Sequence, residues 1–227
     1  IRDRLSSVNQ PLLGYEPVDR FFSTDTKFYA AWSLLADLVI INLLMIVASI
    51  PIVTAGAATR AGVVVARDMV RDEGSRPVRR FLRALLDNWR TPTVWWLFTL
   101  VLASGIGYEF YVISRADLGT VGLIFAAGVT SGALILLGIT AWVYSLCSLS
   151  DGQSSLRRTL ATATSMTVKN LPRTALAVLA LLIVPAAIFF FPAKIYAIAT
   201  YVFLIGYALS WYLVMLALEP VLPDNAG

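Results

Sequence analysis

Histidine is missing from the 227 residues, and Cys147 is the only cysteine. A framework of disulfides within the chain is therefore excluded, and so is a histidine-based metal site. Neither a GxxxxGK[ST] run nor a GxGxxG run is present, so no motif indicates an ATPase or a dinucleotide-binding enzyme. No nucleophile stands at a spacing that would pair it with a base. We therefore predict no catalytic residue, no metal and no cofactor.

Charge is also scarce. Asp, Glu, Lys and Arg make up 14% of the residues, against about 25% in soluble domains, while apolar residues make up 58%. The apolar residues fall into runs of about 20, the length a helix needs to cross a hydrocarbon core of roughly 30 Å. The sequence therefore predicts an all-α membrane protein. We place about six transmembrane helices at residues 28–50, 54–71, 92–114, 120–148, 172–192 and 194–218.

Lysine and arginine predict the orientation of these helices. One side of the arrangement would carry only Arg115 and Lys194. The other side would carry Arg2, Arg4, Arg20, Lys27, Arg71, Arg76, Arg79, Arg80, Arg83, Arg90, Arg157, Arg158, Lys169 and Arg173. The positive-inside rule then puts both termini in the cytoplasm. The net charge of +4 is explained by these loops, so we expect membrane lipid as a partner and no nucleic acid.

This orientation defines the predicted organisation of the chain. Residues 1–27 would form a cytoplasmic N-terminal segment, and residues 220–227 a cytoplasmic tail. Residues 28–219 would form a single polytopic membrane domain, with cytoplasmic loops at about 72–91 and 149–171. The turns on the other side would be very short.

Each long loop contains a predicted amphipathic helix. The first, PVRRFLRALLDNWR at residues 77–90, places its apolar residues on one helical stripe and its arginines opposite. Such a stripe can anchor the helix in lipid or dock a protein. The candidate docking face comprises Val78, Phe81, Leu82, Leu85, Asn88, Trp89 and, from the second loop, Asn170. LDNWRTPTVWWL and VKNLPRTALAVL can be aligned on their asparagines, which leaves open a parallel internal repeat.

Four charged residues fall within predicted spans. Because a charge inside a membrane costs at least about 2.5–3.5 kcal/mol, these residues should pair and face inward. Their depths along the predicted helices favour two pairs, Asp37 with Arg67 and Arg60 with Glu109. The alternative is that they line a path for a solute or an ion.

Small residues occupy two predicted helices. Gly56, Ala58 and Gly62 would let neighbouring backbones approach the second helix closely. Gly128 and Gly132 form a GxxxG pattern in the fourth, which could serve either internal packing or contact with another chain.

Residues 36–90, ADLVIINLLMIVASIPIVTAGAATRAGVVVARDMVRDEGSRPVRRFLRALLDNWR, carry a family resemblance. They resemble the YesL family, whose pattern falls here on Asp37, Asn42, Pro51, Thr54, Gly56, Ala57, Phe81 and Asn88. Trp89 stands where that family usually has Phe. The resemblance implies a bacterial multi-span protein of unknown function, with a gene often beside carbohydrate ABC importers and glycoside hydrolases. It brings no catalytic or binding residues with it.

These observations lead to three candidate functions. The resemblance and the predicted surface helices favour a non-catalytic accessory subunit of a carbohydrate ABC importer in the bacterial cytoplasmic membrane. Its partners would be the permease or ATPase subunits, and its oligomeric state is unknown. The intramembrane charges favour, more weakly, an independent small-solute transporter or channel. A membrane enzyme has no nucleophile–base spacing in its favour, although carboxylates alone could still serve.

Overall fold

A computed structural model describes residues 19–73, 76–116, 119–149 and 155–222, and all regular structure in these ranges is helical. The protein is therefore an all-α membrane protein. Its helices are α1 (Asp19–Ser49), α2 (Ala55–Val70), α3 (Pro77–Leu86), α4 (Arg90–Arg115), α5 (Gly119–Leu149), α6 (Leu156–Lys169), α7 (Leu171–Phe190), α8 (Ile195–Tyr201) and α9 (Tyr207–Leu218). A π-helical segment, Val202–Gly206, joins α8 to α9.

The chain divides into two compact units at Ala36. In the first, the rings of Phe28 and Trp32 stack with their centroids 6.4 Å apart. The second begins at Asp37 and contains α2 to α9. The predicted segment 1–27 lies largely outside the described residues, although α1 already begins at Asp19. Residues 223–227 of the predicted tail also lie outside them.

Five stretches of the described chain are long and apolar enough to cross a membrane. They are Ala31–Ser49, Arg90–Arg115, Gly119–Leu149, Leu171–Phe190 and Pro192–Val221. These stretches coincide with five of the six predicted spans. The exception is α2, whose 16 residues measure about 24 Å, less than a hydrocarbon core of roughly 30 Å.

Helix α2 forms the centre of the second unit. Every residue from Ala55 to Arg67 is buried, and α3, α4, α5 and α9 pack around it. Its small residues make this possible. A Cβ atom added to Gly56 would lie 2.5 Å from the carbonyl oxygen of Pro92, and one added to Gly62 would meet the side chain of Met45. Ala58 is fully buried.

The turn between α1 and α2 lies beside the first turns of α4. Trp96 Nε1 donates a hydrogen bond to the carbonyl oxygen of Ile52 over 2.9 Å. At about 1.5 Å per residue, Trp96 is about 9 Å from the start of α4 and about 28 Å from its end at Arg115. The sequence prediction put this turn and the turn after Arg115 on the same side. That prediction is wrong, because the hairpin extends only to the level of Trp96.

Much of α4 and α5 projects from this packed unit. We call residues 100–116 and 119–137 the α4–α5 arm. Burial in α4 is confined to residues up to Thr99, and in α5 it resumes at Gly138. Within the arm only Gly122 is buried among the described residues. The two helices of the arm contact each other and leave their other faces uncovered.

Candidate functional site

Arg60 lies at the convergence of three helices, with 3% of its surface exposed. Its Nε donates to the carbonyl oxygen of Cys147 over 2.9 Å. Its Nη1 donates to the carbonyl oxygens of Ala84 and Asp87 over 2.9 and 2.8 Å. These carbonyls belong to the last turns of α5 and α3, where a helix has no partners of its own for them. A guanidinium there also complements the partial negative charge of both helix ends.

The predicted pair of Arg60 with Glu109 is therefore wrong. Glu109 is exposed and lines a shallow groove with Phe125 and Val129. Val129 lies about 27 Å along α5 from Cys147, the residue that Arg60 contacts. The prediction failed because it set α2 and α4 at a common depth, whereas the α1–α2 turn meets α4 near its start.

The predicted pair of Asp37 with Arg67 is wrong as well. Arg67 Nε lies 3.5 Å from Glu219 Oε2, and Arg71 Nε donates a hydrogen bond to Glu219 Oε1. Both partners of the Arg67 ion pair are largely buried, with 8% and 10% of their side chains exposed. Glu219 follows the end of α9, which runs alongside α2 and so brings a carboxylate to the end of that helix. Sequence reasoning missed Glu219 because it placed this residue at the end of the membrane domain.

Asp37 instead lines a charged cleft of about 420 Å³, which we call the arginine cleft. It lies between α1, the end of α2 and the start of α3. Its lining residues are Asp37, Val65, Asp68, Met69, Glu73, Arg76, Pro77, Arg79, Arg80 and Arg83. Arg80 Nε donates to Asp68 Oδ2 over 2.8 Å, which joins α3 to α2 across the cleft.

The predicted docking face is divided between two sides of α3. Phe81 has 1% of its surface exposed and Ala84 has 7%, and both belong to the side that packs on α2. Phe81 therefore cannot dock a partner, and its place on that face is a wrong prediction. Exposed apolar residues remain on the other side, namely Val78, Leu82, Leu86 and Trp89. Leu85 is half-buried.

The two predicted docking asparagines occupy helix junctions. Asn88 has a φ of +43° between α3 and α4, a backbone conformation that asparagine tolerates better than most residues. Asn170 lies between α6 and α7 and donates from Nδ2 to the carbonyl oxygen of Met166 over 3.3 Å. Both side chains are half-buried. Their backbone conformations differ, so the sequence match between the two loops does not correspond to a shared local structure.

A third asparagine, Asn42, holds the π-helical segment. It is fully buried, and its Nδ2 donates to the carbonyl oxygens of Val202 and Phe203 over 3.0 and 2.7 Å. Its Oδ1 accepts from the backbone N–H of Ala208 over 2.8 Å. A π-helical turn disturbs the regular hydrogen bonds of a helix, and Asn42 contacts the backbone where that happens. The sequence signal for these hydrogen bonds was an amide side chain inside an apolar run, because a buried amide needs hydrogen-bond partners within the protein.

The small residues of the predicted GxxxG pattern lie in the α4–α5 arm. Gly128 and Gly132 are exposed, and a Cβ atom at either would meet nothing within 4 Å in the part of the chain that the structure describes. They therefore do not serve internal packing. The same ranges contain no group of His, Cys, Asp and Glu side chains arranged to hold a metal ion.

Comparison with known families matches one stretch of this chain. A family described as "Protein of unknown function, DUF624" matches residues 38–110, which are 73 of the 227 residues. The matched stretch contains Asn42, Arg60 and most of the arginine cleft, and it ends just after Glu109. Comparisons with curated proteins and with solved structures gave no significant match.

Proposed function

We propose that this protein is a non-catalytic accessory subunit of a bacterial carbohydrate ABC importer, and that it binds the importer's membrane helices through the α4–α5 arm. The exposed state of the arm carries the proposal. Two helices that pack only on each other leave apolar faces that either lipid or a partner must cover. The polar and small residues on these faces favour a partner protein.

Glu109 is the first of these features. It lies within a stretch long and apolar enough to cross a membrane, and it is exposed. No described residue forms an ion pair or hydrogen bond with its carboxylate. A carboxylate that faces lipid is costly, so residues of this kind normally face protein or water. A partner helix that supplied a cation or a hydrogen-bond donor would remove this cost.

Gly128 and Gly132 are the second feature. They stand four residues apart on α5, in the same part of the helix as Val129, which shares a groove with Glu109. Small residues at this spacing let a second helix approach the backbone closely. Because no other described element approaches them, the space beside them is open to a helix from another protein.

The family and the location of the protein are part of the same proposal. The match to the DUF624 model supports membership of the YesL family, because the matched stretch includes Asn42, Pro51, Thr54, Gly56, Phe81 and Asn88. The association of that family's genes with carbohydrate importers supports the choice of partner. The arginines near the ends of α2 and α9 support a cytoplasmic location for that end, with both termini on the same side.

The experiment is purification of the tagged protein from its own membranes in mild detergent, followed by mass spectrometry. We expect a permease at stoichiometric yield. Gly128→Trp should reduce that yield without unfolding the protein, since Gly128 is exposed and a Cβ atom added there meets nothing within 4 Å among the described residues. Ala175→Trp, at an exposed small residue of α7, is the matched control and should leave the yield unchanged.

Two outcomes would contradict the proposal. One is recovery of the protein alone under conditions that keep a known permease complex intact. The other is equal permease yield for wild type and Gly128→Trp. Solute flux through liposomes that contain this protein alone would instead favour the independent transporter.

A further inference from the structure

The arginine cleft contains charges that the fold does not use. Arg80 and Asp68 form an ion pair across it. Arg76, Arg79 and Arg83 are exposed and have no ion-pair partner within the described ranges, and the same is true of Glu73. Asp37 is half-buried and also lacks one. Three guanidinium groups and two carboxylates therefore surround a space of about 420 Å³ without being paired.

We propose that the arginine cleft binds the headgroup of a membrane phospholipid, and that a phosphoethanolamine headgroup fits it best. Guanidinium groups present a planar set of N–H donors that matches the oxygens of a phosphate. The carboxylates of Asp37 and Glu73 can accept hydrogen bonds from an ammonium group. A site with both kinds of charge suits a zwitterion, and its carboxylates disfavour ligands with several negative charges.

Apolar residues lie among the charged ones in the lining of the cleft, namely Val65, Met69 and Pro77. On α1, Ile40 is exposed and lies one turn beyond Asp37. A lipid held in the cleft would have charged groups around its headgroup and apolar side chains of this kind beside it. A free phosphate would use only the charged groups.

Asp37 belongs to the stretch Ala31–Ser49, which is long and apolar enough to cross a membrane. The arginines that line the cleft with it are exposed. The cleft therefore lies between an apolar helix and a charged surface, which is a setting that suits a lipid headgroup.

The cleft is held in shape by contacts that no ligand would disturb. Phe81 and Ala84 fix α3 against α2, and the Arg80–Asp68 ion pair joins the two helices beside the ligand space. Substitutions of Arg79, Arg83 or Asp37 therefore remove ligand contacts and leave this framework in place. This separation makes the proposal testable with single side chains.

The experiment uses the full-length protein in nanodiscs of phosphatidylcholine that contain equal fractions of phosphatidylethanolamine and phosphatidylglycerol. After mild extraction, native mass spectrometry counts the lipids retained on each protein. We expect wild type to retain phosphatidylethanolamine in preference to the other two. The double variant Arg79→Gln, Arg83→Gln should lower this retention about tenfold or more, since each loses a charge-assisted hydrogen bond.

Two further variants sharpen the test. Asp37→Asn should abolish the preference for ethanolamine over glycerol headgroups while phosphate-dependent retention persists. Arg157→Gln with Arg158→Gln removes the same charge from exposed positions of α6 and should change neither quantity. Thermal unfolding of each variant checks that the protein remains folded.

The proposal is overturned if the cleft variants and the α6 control retain the same lipids in the same amounts. It is also overturned if millimolar inorganic phosphate or glycerophosphoethanolamine displaces the retained lipid completely, because the ligand would then be a soluble phosphate compound. Equal retention of all three phospholipids by wild type would contradict the ethanolamine preference.

Discussion

Arg60 illustrates how one residue can join helices that are distant in the sequence. Its guanidinium binds carbonyl oxygens from α3 and α5, and both helices end where Arg60 contacts them. The planar fork of arginine directs its N–H donors apart, which suits three oxygens that come from two helices. The charge is tolerated because it is surrounded by the partial negative charges of these helix ends, rather than by lipid.

We therefore expect Arg60→Met to destabilise the protein by about 3–5 kcal/mol, because two buried carbonyl groups and one part-buried carbonyl group lose their donor. Arg60→Lys should cost less, since an ammonium group can still reach some of them. The measurement is thermal unfolding followed with a thiol-reactive fluorogenic dye. Cys147 is the only cysteine and is fully buried, so it reacts only when the protein opens.

Arg157→Met is the control, because Arg157 is exposed on α6 and its loss should leave the melting temperature nearly unchanged. Equal melting temperatures for Arg60→Met and wild type would show that the carbonyl contacts do not stabilise the fold.

The sequence predicted that Arg60 would be buried, but it could not predict the partners. An apolar neighbourhood indicates that a charge must be satisfied within the protein. Every residue has a backbone carbonyl, however, so no sequence pattern marks which helix ends converge. The pairing of Glu219 with Arg67 could not be predicted either, because no sequence pattern links two residues that far apart in the chain.

At the scale of the element, α3 shows why an apolar stripe does not by itself define a binding face. The spacing of its apolar residues predicts a helix over residues 77–90, and the structure has one over Pro77–Leu86. The prediction is wrong for Asp87, Asn88 and Trp89, which lie between this helix and α4. The stripe is wide enough to cover two surfaces, and contact with α2 buries the side that holds Phe81 and Ala84. The adjacent Leu82 is 48% exposed.

Neighbouring alanine substitutions test this division. Phe81→Ala should cost about 3–5 kcal/mol, the usual range for the loss of a buried aromatic side chain. Leu82→Ala should change stability by less than about 0.5 kcal/mol, as is typical of surface positions. Denaturant titration in detergent micelles measures both. A larger effect for Leu82→Ala than for Phe81→Ala would mean that α3 packs with its other face inward.

At the scale of the whole molecule, the structure and the sequence prediction differ in the position of the α1–α2 hairpin. Hydropathy identified the five long apolar stretches. The charged residues of α2 indicated that this helix differs from those five. Hydropathy alone could not show that the hairpin stops at the level of Trp96. That depth depends on the backbone of Ile52 and Gly56, which accepts a hydrogen bond from Trp96 at Ile52 and packs closely against Pro92 at Gly56.

Cysteine labelling distinguishes the two arrangements. In a Cys147→Ala background, Ala116→Cys should react with a membrane-impermeant maleimide added outside intact cells. Val53→Cys should not react, because the turn lies about 28 Å along α4 from Arg115. Comparable labelling of both cysteines would mean that the hairpin crosses the whole membrane, as the sequence predicted. Labelling after cell lysis is the control for reactivity.

The contacts of α2 also imply an order of events during synthesis. Arg60 needs carbonyls from Ala84, Asp87 and Cys147, and Arg67 needs Glu219, all of which leave the ribosome after α2. Until then these contacts cannot form, and the buried position that α2 occupies in the folded protein is incomplete. We therefore expect nascent chains that stop before Glu219 to be less stable than the full chain and to be substrates for membrane proteases.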